Sequence, residues 1–346
     1  MKQYRVAVVG LGAVGREMIA TLEKSALPIC ELVPLVRRNE GEKIGFRGET
    51  CVSRLVQKGC FKDIDFALFS AGEQASRELA PLALDEGAVV VDNSNAFRME
   101  PDVPLVVPEV NPLEAKKHRG LIANPNCSTI QMVVALKPLH DRFKIKRVVV
   151  STYQSVSGTG LQAIDELNGQ VQAYVAGREL AREVYPHQIA FNVLPHIDVF
   201  MENGYTKEEM KMHNETRKIL GDSDIRVTAT TVRVPVVRCH SEAVNIETEK
   251  PLPDVEEIRN ILANAPGVVV VDDVANNLYP LAIDCQYRYE VFVGRIRKDY
   301  TVANGLNMWI VADNLLKGAA LNAVQIVELL VARNWAAAGR QKMLAV

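Results

Sequence analysis

The chain lacks the features that mark several specialised classes of protein. Its 40 basic and 42 acidic residues give a formal charge of only −2, so nothing favours nucleic acid or an anionic membrane as a partner. No apolar run approaches the roughly 20 residues that a membrane span needs. The opening stretch, MKQYRVAVVGLG, enters a strand pattern at once and shows no cleavable signal pattern.

Cysteine is scarce and scattered. The six cysteines include no C-x-x-C pair, whereas a disulfide framework or a zinc site would need clustered spacing. We therefore expect no bound metal, a reducing cytoplasmic location and mostly inert core thiols. Cys127 is the exception, because it stands between Asn-Pro-Asn and an apolar helical pattern.

The first part of the chain alternates strand and helix patterns. YRVAVV is followed by GLGAVG and the helical REMIATLEKS, and CELVPLV, IDFALFSAG and GAVVVDNS are further strand patterns. This alternation predicts a Rossmann-like, doubly wound parallel sheet whose site lies at the carboxyl ends of the strands. At 346 residues the chain also exceeds the size of one hydrophobic core, so we expect two domains.

After Cys127 the pattern changes to that of an α+β domain with a mixed or antiparallel sheet. Strands are expected at 145–154, 225–234, 242–248 and 289–296. Helices are expected at 160–184 and 206–220, and a last apolar helix at 308–330. The last helix is expected to pack on the first domain. We predict one domain of residues 1–126 plus about 312–346, and a second of residues 127–311.

A glycine-rich loop joins the first strand to the first helix. It consists of Gly10, Gly12 and Gly15, with Ala13 and Val14 between them, in a G-x-G-x-x-G pattern. Glycines let the backbone turn tightly and approach a pyrophosphate, which the helix N-terminus then stabilises. The loop predicts dinucleotide binding, and a plain tight turn is the alternative.

The end of the second strand indicates which dinucleotide is bound. NAD-binding proteins usually place Asp or Glu there for the ribose hydroxyls, whereas this chain has Arg37 and Arg38. Two guanidinium groups suit a 2′-phosphate through charge-assisted hydrogen bonds. We therefore predict NADP, although Glu40 nearby leaves a solvated basic turn as the alternative.

Cys127 lies at or just before the start of a helix expected to run to about Leu136 and to end near Pro138. Peptide dipoles at a helix N-terminus favour a thiolate and lower the pKa of a cysteine there. The same N–H groups, with the side chain of Asn126, can hold an oxyanion on a carbonyl that the sulfur attacks. A buried, inert thiol is the alternative.

A nucleotide loop combined with an activated thiol limits the chemistry. A thiolate that attacks an acyl carbon forms a thioester, and a nicotinamide hydride can reduce that acyl group to an aldehyde. The reverse reaction converts an aldehyde to an acyl phosphate or an acid.

Five motifs resemble the aspartate-semialdehyde dehydrogenase family, in the expected order and over nearly the whole chain: NPNCSTIQ, STYQSVSGTG, AFNVLPHID, RVPVVRCHSE and FVGRIRKD. The resemblance implies an NADPH-dependent reductive dephosphorylation of L-aspartyl 4-phosphate to aspartate 4-semialdehyde. It implies a cysteine thioacyl intermediate and a role in lysine (through diaminopimelate), threonine, methionine and isoleucine biosynthesis. It also implies a homodimer, with catalysis and dimerisation in the second domain.

The resemblance further implies catalytic roles for Cys127 as the nucleophile, His240 as the general acid/base and Gln154 as the residue that orients the substrate. A near-neutral intrinsic pKa suits histidine to that work. Without the resemblance, His240 is more simply a structural histidine, and Gln154 a strand-end amide that bonds a loop.

The implied substrate carries a carboxylate, an ammonium group and a phosphate. Arg233 suits the carboxylate because its planar fork binds both oxygens. Arg98 and Lys211 resemble the phosphate ligands, and Glu208 resembles the partner of the ammonium group. By spacing alone, Glu208 and Lys211 form a solvated salt bridge on one helix face.

The pair Arg233 and His240 imposes a geometric condition. They are seven residues apart, so on an unbroken strand they would point to opposite faces. Both can serve one pocket only if the strand ends between them, and Pro235 allows such a break.

Ser70, Ala71 and Gly72 end a parallel strand where the cofactor's crevice is expected. The resemblance implies further cofactor contacts at Ser157 and Gly158, near the nicotinamide, and at Asn314. The chain departs from the family in two places. Its glycine loop is one residue shorter than the usual G-A-T-G-x-V-G, and the segment between Gln154 and AFNVLPHID is shorter than in many relatives.

Two other functions remain open. A sibling acyl-phosphate reductase, such as N-acetyl-glutamyl-phosphate reductase, acts on an acylated amine, which leaves Glu208 without an ammonium group to bind. A non-catalytic relative would keep the fold for binding or regulation. A binding protein has no chemical need for the set Cys127, Gln154, Arg233 and His240, which argues against the second alternative.

Overall fold

The computed structural model describes residues 2–336, and the chain divides into two compact units. The first comprises residues 1–126 and 319–346, and the second comprises residues 127–318. The predicted division has the same break before Cys127 and sets the second break a few residues earlier, at about 312. Residues 337–346 of that prediction lie outside the described residues.

The strands are β1 (Tyr4–Val9), β2 (Ile29–Val36), β3 (Lys43–Phe46), β4 (Glu49–Val52), β5 (Arg54–Leu55), β6 (Phe66–Phe69), β7 (Val89–Asp92), β8 (Leu121–Ala123), β9 (Ile145–Gln154), β10 (Arg226–Arg233), β11 (His240–Thr248), β12 (Val268–Val270), β13 (Val291–Asp299) and β14 (Gly305–Ala312). The α-helices are α1 (Ala13–Lys24), α2 (Glu73–Asp85), α3 (Cys127–Phe143), α4 (Leu161–Val175), α5 (Lys207–Leu220), α6 (Val255–Ala263) and α7 (Leu321–Ala332). A π-helical turn, Leu316–Ala320, precedes α7.

The first unit is built on a parallel sheet of six strands in the order β5-β2-β1-β6-β7-β8. Apolar residues on both faces of β1 are buried, as expected where helices cover a parallel sheet on both sides. Val6 and Val8 pack with α1 and α7, whereas Ala7 and Val9 pack with α2. The predicted Rossmann-like sheet is confirmed.

The second unit contains a mixed sheet in the order β10-β9-β11-β14-β13-β12. The β9–β11, β11–β14 and β13–β14 pairs are antiparallel, whereas β10 and β12 join their neighbours in parallel. Every second residue of β9 from Val148 to Gln154 is buried, which is the period-2 pattern of a sheet packed on helices. Helices α3, α5 and α6 cover this sheet. The predicted mixed or antiparallel sheet is thus a mixed one.

Two sequence predictions about helices are wrong. The segment 308–330 is not one helix, because its first residues form β14 and only Leu321–Ala332 is α-helical. A strand apolar on both faces loses its alternation, so its apolar run cannot be told from a helix. Helix α3 also continues through Pro138 to Phe143, since its buried packing outweighs the cost of an internal proline. None of the helices among residues 2–336 combines the length and apolar character required to cross a membrane.

Candidate active site

The glycine loop of the first unit has the geometry of a dinucleotide site. Gly10 has φ +95°, and a Cβ there would lie 2.7 Å from the carbonyl oxygen of Ser70. A Cβ on Gly15 would lie 1.9 Å from the carbonyl oxygen of Gly10, whereas one on Gly12 would meet nothing within 4 Å. Gly10 and Gly15 are therefore required for close packing, and Gly12 leaves an open surface.

The start of α1 suits an anion. Gly12 is its N-cap, no side chain caps the helix, and its first turn, which includes Ala13 and Val14, contains no acidic residue. The N–H groups and the positive end of the helix dipole therefore favour a phosphate. These residues fit the pyrophosphate of a dinucleotide.

The neighbouring strand ends lie at the same edge of the sheet. The N–H of Gly10 donates to the carbonyl of Leu35 in β2, and the N–H of Ser70 donates to the carbonyl of Val9 in β1, each at 2.8 Å. Ala71 and Gly72 continue from Ser70, and Gly72, with φ +86°, is the N-cap of α2. The predicted residues 70–72 thus border the glycine loop.

Arg37 and Arg38 directly follow β2 and are exposed. Arg37 Nη2 lies 3.4 Å from Glu78 Oε2 in a pair whose two side chains are about half exposed. Such a pair contributes little free energy, so it does not compete strongly with a phosphate for the guanidinium group.

Arg98 is buried at the carboxyl ends of β7 and β8. Its Nε donates to the carbonyl of Asn124 at 2.9 Å, and its Nη2 donates to the carbonyl of Asn93 at 2.8 Å. These bonds fix the direction of the guanidinium group. Asn126, also buried, is the last residue of this part of the first unit.

In the second unit, three predicted residues meet at one edge of the sheet. Gln154 ends β9 opposite Arg233, which ends β10, and His240 begins β11 on the other side of β9. The strand break expected near Pro235 is confirmed. A Cβ on Gly158 would meet Arg233 Nη1 at 3.1 Å and His240 Cε1 at 3.3 Å, so both side chains border the same small space.

The surroundings of His240 set its protonation state. The main-chain N–H of Ser155 donates to Nδ1 at 3.1 Å, so the ring proton of the neutral histidine is on Nε2. Burial, together with the charge of Arg233 and against that of Glu208, lowers the pKa of His240 to about 3. Nε2 is buried without a hydrogen-bond partner among the described residues. The pKa of His240 is therefore well below the near-neutral value expected from its residue type. Resting His240 is neutral, and its Nε2–H is a hydrogen-bond donor.

Arg233 is buried and fixed along one side. Its Nη1 donates to the carbonyl of Ser155 at 2.6 Å, and its Nε has no hydrogen-bond partner among residues 2–336. A buried donor left unpaired is costly, so a carboxylate that accepts from this group would be favoured.

Glu208 and Lys211 belong to a chain of polar side chains that is buried at Gln154 and Glu208 and reaches the surface at Asp198. Gln154 Nε2 donates to Glu208 Oε1 at 3.2 Å, and Lys211 Nζ donates to Glu208 Oε2 at 3.1 Å and to Asp198 Oδ2 at 2.7 Å. The salt bridge predicted from spacing is therefore present, but it is not solvated, because the side chains of Lys211 and Glu208 are only 18% and 6% exposed. Although burial of Asp198 raises its pKa, Lys211 outweighs that effect and the pKa is lowered.

Asn314 and Ser157 connect the end of β14 to the loop after β9. Asn314 Oδ1 accepts from the N–H of Cys239 at 2.9 Å and from Ser155 Oγ at 3.1 Å, and Asn314 Nδ2 donates to Ser157 Oγ at 3.0 Å. These predicted cofactor contacts are thus also part of the support around His240.

Cys127 is half-buried and is the first residue of α3. The π-helical turn passes directly against it, because a Cβ on Gly318 would lie 2.8 Å from Cys127 Cβ and 3.3 Å from Cys127 Cα. Gly318 was not among the predicted site residues. Ser155 and Asp198 were not among them either, and only their places in the motifs STYQSVSGTG and AFNVLPHID could have indicated these two residues.

We expect Gly318→Ala to lower the kcat of the reaction that depends on Cys127 by about 10- to 100-fold, since the added methyl group must displace the backbone that carries Cys127. Gly169→Ala in α4 is the matched control, because a Cβ there meets nothing within 4 Å. Steady-state kinetics of both variants test this. Equal kcat values for Gly318→Ala and the control would contradict it.

The first unit has a loop that fits a dinucleotide. The second unit has a cysteine at a helix N-terminus and buried histidine, glutamine and arginine side chains. These are the parts of a cysteine-dependent dehydrogenase. Residues 5–118 match the NAD binding domain of semialdehyde dehydrogenase, and residues 136–317 match its dimerisation domain.

Relatives and solved structures agree. The chain is 58% identical to the aspartate-semialdehyde dehydrogenase of Aquifex aeolicus, over 95% of this chain and 98% of that protein, and 49% identical to that of Bacillus subtilis, over 94% and 96%. A crystal structure of aspartate semialdehyde dehydrogenase II from Vibrio cholerae has a TM-score of 0.93 at 46% identity, covering 95% of this chain and 99% of that one. The chain belongs to the aspartate-semialdehyde dehydrogenase family.

Proposed function

We propose that this chain catalyses the NADPH-dependent reductive dephosphorylation of L-aspartyl 4-phosphate to L-aspartate 4-semialdehyde and phosphate. The observation that carries the proposal is the meeting of Gln154, Arg233 and His240 at one end of the sheet, where the Arg233 Nε has no hydrogen-bond partner within residues 2–336. The reaction supplies lysine, threonine, methionine and isoleucine biosynthesis. The match to a dimerisation domain supports a homodimer, and the absence of a disulfide among the six cysteines, all of which lie in the described residues, supports a cytoplasmic location.

Cys127 begins the reaction. Its sulfur attacks the acyl carbon, the C–O bond to phosphate breaks, and a thioester to Cys127 remains. The N–H groups at the start of α3 stabilise the oxyanion that forms during the attack. NADPH supplies, when bound, the hydride that reduces the thioester to a hemithioacetal.

His240 supports both steps as a hydrogen-bond donor. Its neutral Nε2–H stabilises the negative charge on the substrate oxygen during the attack and in the hemithioacetal alkoxide, which expels the Cys127 thiolate as the C–S bond breaks and the aldehyde leaves. Ser155 holds the ring in this tautomer through Nδ1. Since Nε2 already carries its proton, His240 acts as a hydrogen-bond donor in this step and accepts no proton.

The charges of the second unit match those of the substrate. Arg233 binds the α-carboxylate, Glu208 receives the ammonium group and Lys211 contributes to phosphate binding. Arg98 stays a predicted phosphate ligand. Gln154 orients the substrate, since its amide already bonds Glu208. The carboxylate of Glu208 favours the ammonium group of aspartyl phosphate over the neutral amide of an N-acetyl-glutamyl substrate, because that amide carries no positive charge for it to bind.

Arg37 and Arg38 select NADP through its 2′-phosphate. Replacing both with serine is expected to raise the KM for NADP about 10- to 100-fold and to leave the KM for NAD nearly unchanged, since the charge-assisted hydrogen bonds of these two exposed side chains together contribute about 1.5–3 kcal/mol. Arg77→Ser, which removes an exposed arginine of α2, is the control. Equal changes for both cofactors would favour a solvated basic turn.

The proposed activity is tested by the phosphate-dependent reduction of NADP with aspartate semialdehyde, followed by absorbance. We expect turnover that requires phosphate and is blocked by alkylation of cysteine. N-acetyl-glutamate semialdehyde is the competing substrate. Faster turnover of that compound would identify the sibling reductase, and no turnover of either would favour a non-catalytic relative.

A further inference from the structure

A second polar pair lies next to this site and takes no part in the mechanism described above. Glu242 is two residues after His240 on β11, so the two side chains point to the same face of the sheet. Its cross-strand neighbours are Thr152 on β9 and Ile310 on β14. Both Glu242 and Gln131 of α3 are completely buried.

The hydrogen bonds around this pair are incomplete if Glu242 is ionised. Its carboxyl group lies within hydrogen-bonding range of the Gln131 amide, yet neither Glu242 oxygen has a donor and Gln131 Oε1 has none either, among the described residues. One proton on Glu242 resolves this, because a carboxylic acid donates to an amide oxygen. Burial, opposed only in part by Gln131, also raises the pKa of Glu242 well above its usual range.

The other end of Gln131 reaches the site. Its Nε2 lies 3.4 Å from the main-chain carbonyl of His240, to which it donates. Gln131 is four residues, or about one helical turn, after Cys127 on α3. With a proton on Glu242, a chain of hydrogen bonds runs from Glu242 through Gln131 to His240 and connects α3, one turn after Cys127, to the first residue of β11.

We propose that Glu242 is protonated in the native enzyme and that Glu242 and Gln131 are positioning residues, which hold the helix bearing Cys127 against the strand bearing His240. Neither residue touches the substrate. The kinetic part of this proposal rests on the proposed function, whereas the protonation of Glu242 does not.

Infrared spectroscopy tests the protonation directly. We expect the wild-type protein at pH 7 to show the carbonyl stretch of one buried carboxylic acid, and Glu242→Gln to lose it. Glu328→Gln is the control, because Glu328 is a half-buried glutamate of α7. A wild-type spectrum without a Glu242-dependent acid band would overturn the proposal, whatever the enzyme catalyses.

Kinetics test the positioning role. Glu242→Gln retains a donor for Gln131 Oε1, so we expect kcat within about twofold of wild type. Glu242→Leu and Gln131→Leu keep the approximate volume but remove the bridge, so we expect kcat to fall about 10- to 100-fold with little change in the KM for phosphate. The alkylation rate of Cys127 against pH should change in both leucine variants and be restored in Glu242→Gln.

Two results would overturn the positioning role. Leucine variants with wild-type kcat and wild-type alkylation would mean that packing alone holds α3. A Glu242→Gln variant as slow as Glu242→Leu would mean that a carboxyl group itself is required. Folding is checked by circular dichroism, and the infrared result decides the protonation of Glu242 if the leucine variants do not fold.

Discussion

Cys127→Ala is expected to lower kcat for the phosphate-dependent oxidation of aspartate semialdehyde by about 10⁴-fold or more, because no other group can form the thioester. The affinity for NADP should stay within about twofold, since the glycine loop and the arginine pair after β2 are unchanged. Steady-state kinetics and isothermal titration with NADP measure the two effects.

Cys30→Ala is the matched control for that variant, because Cys30 is an exposed thiol in β2 of the first unit. It should retain full activity. A Cys127→Ala variant that keeps more than a tenth of wild-type turnover would contradict a nucleophilic role for Cys127, and would leave the buried-thiol interpretation.

Arg233→Leu is expected to lower kcat/KM for aspartate semialdehyde about 10²- to 10³-fold, chiefly through KM, since a buried charged partner of the substrate carboxylate is lost. It should also change the pH profile. Burial is the largest cause of the lowered pKa of His240, and the charge of Arg233 is the second. Removing the charge of Arg233 therefore raises the pKa of His240. Because neutral His240 is the active form, the acid limb of kcat/KM should move to higher pH.

Arg233→Lys separates these two effects. It keeps a positive charge near His240 but loses the planar fork, so KM should rise while the acid limb stays at the wild-type pH. An Arg233→Leu variant with both an unchanged KM and an unchanged acid limb would show that Arg233 is only a structural donor to Ser155.

Much of the fold follows from local sequence patterns. The apolar strands of the first unit, each followed by a helical pattern or a turn, predict a parallel sheet, and the glycine spacing predicts the loop after β1. The segment that became β14 could not be predicted, because a central strand buried among residues of both neighbours reads as a uniform apolar run.

The placement of candidate residues could be predicted where a residue type and its local sequence pattern were sufficient. Cys127 before an apolar helix, and Arg37 and Arg38 after a strand, are of this kind. The burial of Glu208 and the partner Asp198 of Lys211 depend on α5 packing beside β10, which spacing along one helix does not reveal.

The protonation of His240 and the proximity of Gly318 to Cys127 were also hidden. Both depend on contacts between residues far apart in the chain. Ser155 and His240 are 85 positions apart, and no local pattern indicates that the main-chain N–H of one sets the tautomer of the other. A pKa inferred from residue type alone therefore misses the effect of burial.

The most direct test of the account is to mix the enzyme with aspartate semialdehyde and NADP without phosphate, quench the mixture within milliseconds, and analyse its peptides by mass spectrometry. The account predicts one NADPH formed per site, with an aspartyl acyl group bound to Cys127. NADPH formation at that level with Cys127 unmodified, or with the acyl group on another residue, would contradict it.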